Sequence, residues 1–86
     1  MSIDIKNNKI NLGEKCEVDI LNLYNLIITP NENDSEMYEY NNDDIYKIKL
    51  ILYPKKSTKY IVKGISDSFK EVIFDFIIHV KMVLST

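Results

Sequence analysis

Arginine, alanine, glutamine and tryptophan are absent from the 86 residues, and there are only one cysteine, one histidine, two glycines and two prolines. Each shortage excludes something. Without arginine there is no bidentate guanidinium fork for carboxylate, phosphate or guanine, so anion binding would fall to lysine point charges and backbone amides. Cys16 alone forms no internal disulfide, which suits a reducing compartment. Gly13 and Gly64 cannot build a glycine-rich phosphate loop. Cys16 and His79 are too few for an ordinary structural zinc site, and nothing in their spacing joins them as a thiol–imidazole pair. No spacing of acids matches a calcium loop or nominates a general acid and base. No catalytic, metal or cofactor residue is therefore assigned, and the expected class is non-enzymatic.

The opening Met-Ser-Ile-Asp-Ile-Lys carries no basic leader followed by an apolar stretch, and no apolar run approaches the roughly 18 residues of a membrane span. A cytoplasmic protein is expected, with no membrane among its partners. What is abundant is isoleucine (14), lysine (11) and asparagine (nine), the bias of an AT-rich coding sequence. At 45% hydrophobic the chain is too apolar for disorder and long enough for one domain over residues 1–86.

The net charge of −2 hides a segregation. Glu32, Asp34, Glu36, Glu39, Asp43 and Asp44 fall in 31–44 without a lysine, and Lys47, Lys49, Lys55, Lys56, Lys59 and Lys63 follow in 45–63 without an acid. Two readings fit: pairing of the blocks across adjacent antiparallel strands, or separate electrostatic patches for a partner.

Alternation of apolar and polar residues predicts an amino-terminal hairpin pairing Ile5 with Ile10 through Asn7-Asn8. Residues 15–29 fit a long strand with a phase break near Leu21, with an amphipathic helix as the rival. Residues 30–36 read as an exposed acidic loop, Met37 to Tyr40 as a short strand burying Tyr38 and Tyr40, and 41–44 as a turn. Tyr46, Ile48, Leu50 and Leu52 share the inward parity of the next strand, and Tyr60 and Val62 that of the one after it. From Phe69 to Leu84, apolar residues gather within roughly 140° of a helical wheel behind a Ser68/Glu71 capping box. These elements predict a two-layer α+β domain, an antiparallel sheet of about four strands under a carboxy-terminal helix.

Three surfaces follow from that fold. The outer sheet face would gather Lys47, Lys49, Lys59 and Lys63 around Ile51, Tyr53 and Ile61, either as an ordinary solvated face, a protein contact or a platform for nucleic acid. The far side of the helix would carry Phe74, Ile78 and Met82 as a second apolar stripe, for a second copy of the chain or for burial under the hairpin. The acidic segment with Glu32, Asp34, Glu36 and Glu39 would either solubilise the domain or meet a basic surface. Together they suggest a protein–protein interaction module, with inhibition of a larger basic or nucleic-acid-handling protein as one version. A small nucleic-acid-binding domain is the alternative.

Overall fold

The computed structural model describes residues 1–82. It contains eight strands: β1 (Ser2–Ile5), β2 (Lys9–Asn11), β3 (Cys16–Leu21), β4 (Leu23–Thr29), β5 (Glu36–Asn42), β6 (Ile45–Leu52), β7 (Thr58–Ser66) and β8 (Glu71–Lys81). They form two four-stranded sheets, in the orders β1-β3-β6-β5 and β2-β8-β7-β4. The architecture is an all-β sandwich, and the expected α+β fold is overturned: no helix is present among the described residues.

The decisive segment is β8. Val72, Phe74, Phe76, Ile78 and Val80 turn one way and Ile73, Asp75, Ile77 and His79 the other, antiparallel to β7 with Phe76 opposite Tyr60 and Ile78 opposite Thr58. A strand with apolar residues on both faces scores on a helical wheel almost as well as a helix does, because its positions at i+4 are also its own period. Composition separates the two states. Five β-branched residues and two phenylalanines in an eleven-residue strand favour extended backbone. The expected helix also included Val83 and Leu84, which lie outside the described residues. Ser68 does not cap a helix; its hydroxyl lies 2.9 Å from that of Ser66, inside the β7–β8 turn.

The amino-terminal hairpin is also overturned. β1 pairs antiparallel with β3, Ile5 opposite Val18, while β2 pairs parallel with β8, Ile10 opposite Val80. The first eleven residues thus straddle the two sheets, since Ile3 and Ile5 on one side and Ile10 on the other find larger apolar neighbours there than in each other. Across 15–29 the strand reading holds, with the break at Asn22. Its left-handed backbone (φ 57°) passes the chain from the first sheet to the second. The Asn22 N–H donates to the Tyr46 carbonyl at 2.7 Å, and its side-chain oxygen accepts from the Tyr46 N–H at 3.1 Å.

The core lies between the sheets. Cys16, Val18, Ile20, Ile48, Leu50 and Leu52 fill it from the first sheet, and Leu23, Tyr60, Val62, Phe76 and Ile78 from the second. The inward parities read from the sequence for β6 and β7 are those observed. Among the described residues thirteen apolar side chains are buried, each stabilising by about 1.5–3 kcal/mol when it is large, so the interior and not the surface charge holds the fold.

Candidate functional site

Because β6 and β7 belong to different sheets, their outward side chains point to opposite sides of the sandwich. The single lysine-lined face is therefore corrected to two faces of different character.

On the first sheet, the cross-strand rows set Asp4, Asp19, Lys49 and Tyr38 side by side, with Lys47 and Tyr40 in the next row and Glu17, Ile51 and Glu36 beyond. Tyr38 and Tyr53 both donate to the Glu36 carboxylate, at 3.1 and 3.2 Å, and the Lys47 ammonium stands 6.0 Å from the Tyr40 ring centre. Asp19 Oδ2 takes Lys6 and Lys47 at 3.5 and 3.7 Å, while its buried Oδ1 has no partner among the described residues. This face is polar, and its acids cancel its lysines.

β5 forms the edge of that sheet, and all its residues are exposed. The expected burial of Tyr38 and Tyr40 is thus corrected: they share the outward face with Lys49 and Lys47, opposite which they sit. Nor do the acidic and basic blocks neutralise each other. Glu36 and Glu39 face Ile51 and Ile48 across the ladder, not lysines. The observed ion pairs join the basic block to other acids, Lys47 to Asp19, Lys59 to Asp75 and Lys63 to Glu71. Glu32, Asp34, Glu36, Glu39, Asp43 and Asp44 take no lysine among the described residues. The loop before β5 is not wholly free. Glu32 is half-buried, and its carboxylate accepts from the buried Tyr60 hydroxyl at 3.4 Å. Burial, reinforced by that carboxylate, raises the Tyr60 phenol well above its ordinary range.

The outer face of the second sheet has the opposite character. Ile27 of β4, Lys63 of β7 and Ile73 of β8 form one row; Thr29, Ile61 and Asp75 form the next; Lys59 and Ile77 a third; and Tyr24, Ile65 and Glu71 a fourth. The lysines are paired in place, Lys63 with Glu71 at 3.1 Å and Lys59 with Asp75 at 3.5 Å, and the isoleucines stand open between them. Ile27 is 61% and Ile73 62% exposed, and Ile61, Ile65 and Ile77 are also exposed. A shallow depression of about 380 Å³ on this face is lined by Asn25, Ile27, Lys63, Ile65, Phe69 and Glu71.

Phe69 completes it. It occupies the third position of the three-residue turn Asp67-Ser68-Phe69, closed by the Phe69 N–H to the Ser66 carbonyl at 3.0 Å and the Ser66 N–H to the Lys70 carbonyl at 2.9 Å. That position requires left-handed backbone and is normally glycine's; here φ is 60° on a phenylalanine that is 91% exposed. A bulky apolar side chain is thus held here against both its backbone preference and its solvent preference. Comparison with protein-family models, with curated proteins and with solved structures finds no match.

Of the residues singled out from the sequence, Ile61 and Lys63 stand on this apolar face with Lys59, whereas Lys47, Lys49, Ile51 and Tyr53 belong to the other side. The stripe of Phe74, Ile78 and Met82 is corrected. Ile78 is wholly buried, Phe74 is half-buried against the core, and exposed Met82 lies beyond the end of β8. In a strand, residues four apart share a face with those two apart, so Ile78 joins Phe76 inside instead of opposing it. Ile27, Ile65, Ile73, Ile77 and Phe69 were missed as surface residues. The turn signal at 66–70 was legible, for a serine- and aspartate-containing run divides two β-rich segments. Cys16 and His79 stay apart in role: Cys16 is buried, donating to the Asn7 carbonyl at 2.8 Å, with its thiol pKa raised by desolvation, while His79 is exposed. Among the described residues no cluster of histidine, cysteine and carboxylates could hold a metal ion, and no helix is long and apolar enough to cross a membrane.

Proposed function

We propose that this chain is a non-catalytic protein–protein interaction domain that recognises its partner with the outer face of the second sheet. The observation that supports this reading is the open isoleucine array with Phe69 at its rim, interrupted only by lysines already neutralised by Glu71 and Asp75. An apolar centre depleted of free charge is how the cores of protein interfaces are composed. Nucleic acid is the weaker reading. The lysines that would contact phosphate are divided between two opposite faces, and Lys47, Lys59 and Lys63 are each engaged by a carboxylate. A buried thiol without a disulfide partner supports placing the domain in the cytoplasm.

Co-precipitation by the tagged full chain tests the proposal. Ile61→Ser with Ile73→Ser should abolish retention of bound protein, whether another copy or a different chain, while Lys47→Glu with Lys49→Glu leaves it intact. The reverse pattern overturns it.

A second reading rests on β5. In the two-residue hairpin that pairs Asn42 with Ile45, the backbone groups of Met37, Glu39 and Asn41 point away from β6, so the sheet edge is open along a strand flanked by carboxylates that take no lysine among the described residues. A larger basic partner, the target of an inhibitor, would meet this edge. Its capture should fall steeply with salt and with Glu36→Lys and Glu39→Lys.

A further inference from the structure

We infer that the occupant of the second sheet's outer face is a second copy of this chain, docked face to face about a two-fold axis. The inference rests on the interaction-surface reading above and names its partner. Three observations carry it. The first is extent. Ile27, Ile61, Ile65, Ile73, Ile77 and Phe69, at their observed exposures, present on the order of 700 Å², close to the roughly 800 Å² that each partner contributes to a standard stable interface. The patch alone therefore nearly supplies what a dimer needs, and the intervening lysine stems and Thr29 complete it.

The second observation is charge. Each cation within the isoleucine rows has its anion beside it on the same sheet, Lys63 with Glu71 and Lys59 with Asp75, while Lys9 of β2 and Lys81 stand beyond those rows, flanking His79. The centre of the patch therefore presents no net charge that would repel its own copy. β5 differs in this respect, because two such edges would bring Glu36 and Glu39 against their equivalents.

The third is shape. Twisted sheets pack face to face at about −30° because both carry the same hand of twist, and a copy of this sheet supplies that twist and the same length of strand. β4, β7 and β8 give a face three strands wide on which the apolar rows cross the strands. Phe69, standing out at the end of the β7–β8 turn, is the anchor type that buries most area at a closed interface. Two-fold pairing is the commonest closed arrangement for a self-complementary patch.

Sedimentation velocity of the full chain from about 1 to 500 μM, with light scattering for mass, tests this. The expected result is a species of twice 10.1 kDa. Ile73→Lys and Ile27→Lys, at open positions of the face, should each raise the dissociation constant at least tenfold without changing the circular dichroism spectrum. Lys47→Glu, on the opposite sheet, should leave it unchanged. A monomer throughout the range overturns the inference, as does a dimer that survives both lysine substitutions. An apolar fluorescent probe, 8-anilinonaphthalene-1-sulfonate, separates that failure from failure of the underlying reading. A monomer that binds the dye less well after Ile73→Lys still has an apolar recognition face and lacks only the second copy. A monomer indifferent to the dye loses both.

Discussion

Leu23 lies directly over Gly64: a β-carbon built on the glycine would stand 2.6 Å from Leu23 Cγ and 3.0 Å from the Tyr24 carbonyl oxygen. The cause is a bulge in β4, where Asn25 and Leu26 together face the single Gly64 and Asn25 takes left-handed backbone at φ 55°. Leu23 is wholly buried, so it has no room to retreat. Gly64→Ala should destabilise the domain by about 1–3 kcal/mol, the range for overpacking a core. Urea unfolding measures it, and Leu23→Ala in the same chain should recover part of the difference between the two backgrounds. A neutral Gly64→Ala would contradict the close approach.

Phe69 sets stability against association. A left-handed residue with a side chain costs roughly 1–2 kcal/mol more than glycine in that conformation, partly offset by glycine's greater freedom when unfolded. The exposed ring gains nothing from the core of its own chain. Phe69→Gly should therefore raise the unfolding free energy by about 0.5–1 kcal/mol while weakening self-association. A variant that loses stability would show that the ring packs against its own molecule.

Neighbouring isoleucines on β8 test strand against helix. Ile78 is fully buried opposite Thr58, and Ile77 points outward opposite Lys59. Ile78→Ser removes a buried side chain and places a hydroxyl in the core, for an expected loss of about 3 kcal/mol or more. Ile77→Ser should cost under about 1 kcal/mol in the monomer. Equal costs at the two positions would contradict the alternation. The same comparison at Phe76 and Asp75 should show the same contrast.

The sandwich was legible where alternation was clean. In β6 and β7 lysines occupy one parity and Ile48, Leu50, Tyr60 and Val62 the other, so the pattern fixes which side faces the core before any partner strand is known. It does not say which sheet each strand joins. By composition Pro54 through Thr58 reads as a turn within one sheet, yet the chain there crosses from one layer to the other, which separates Ile51 and Tyr53 from Ile61. In β8 the alternation is blurred by the apolar outer face itself: Ile73 and Ile77 on the outside fill the positions that polar residues would hold in a solvated strand, and this produced the helical periodicity. The open face and the misread element are thus one fact. Neighbours at distant sequence positions, such as Ile27 beside Lys63 and Ile73, belong to pairing register and left no local trace.

The Tyr60–Glu32 contact predicts an alkaline limit to stability. Burial, then the nearby Glu32 carboxylate and the hydrogen bond to it, raise the phenol of Tyr60 above its ordinary value of 10.0. Its raised pKa in the folded state means that the stabilisation is complete below pH 10, where the tyrosine is neutral in both states. It is lost as pH rises further, because the unfolded chain ionises first. While the folded phenol stays neutral, this one group should lower the unfolding free energy by about 1.4 kcal/mol per pH unit above 10. Tyr60→Phe removes the titrating group and the contact with Glu32, keeping the ring stacked 5.5 Å from Phe76. It should flatten the pH profile above 10, whereas Tyr38→Phe, on the exposed edge strand, should change that slope far less. Urea unfolding between pH 8 and 11.5 measures both. If the slope persists in Tyr60→Phe, the alkaline transition belongs to another tyrosine, and the buried phenol is not what limits the fold at high pH.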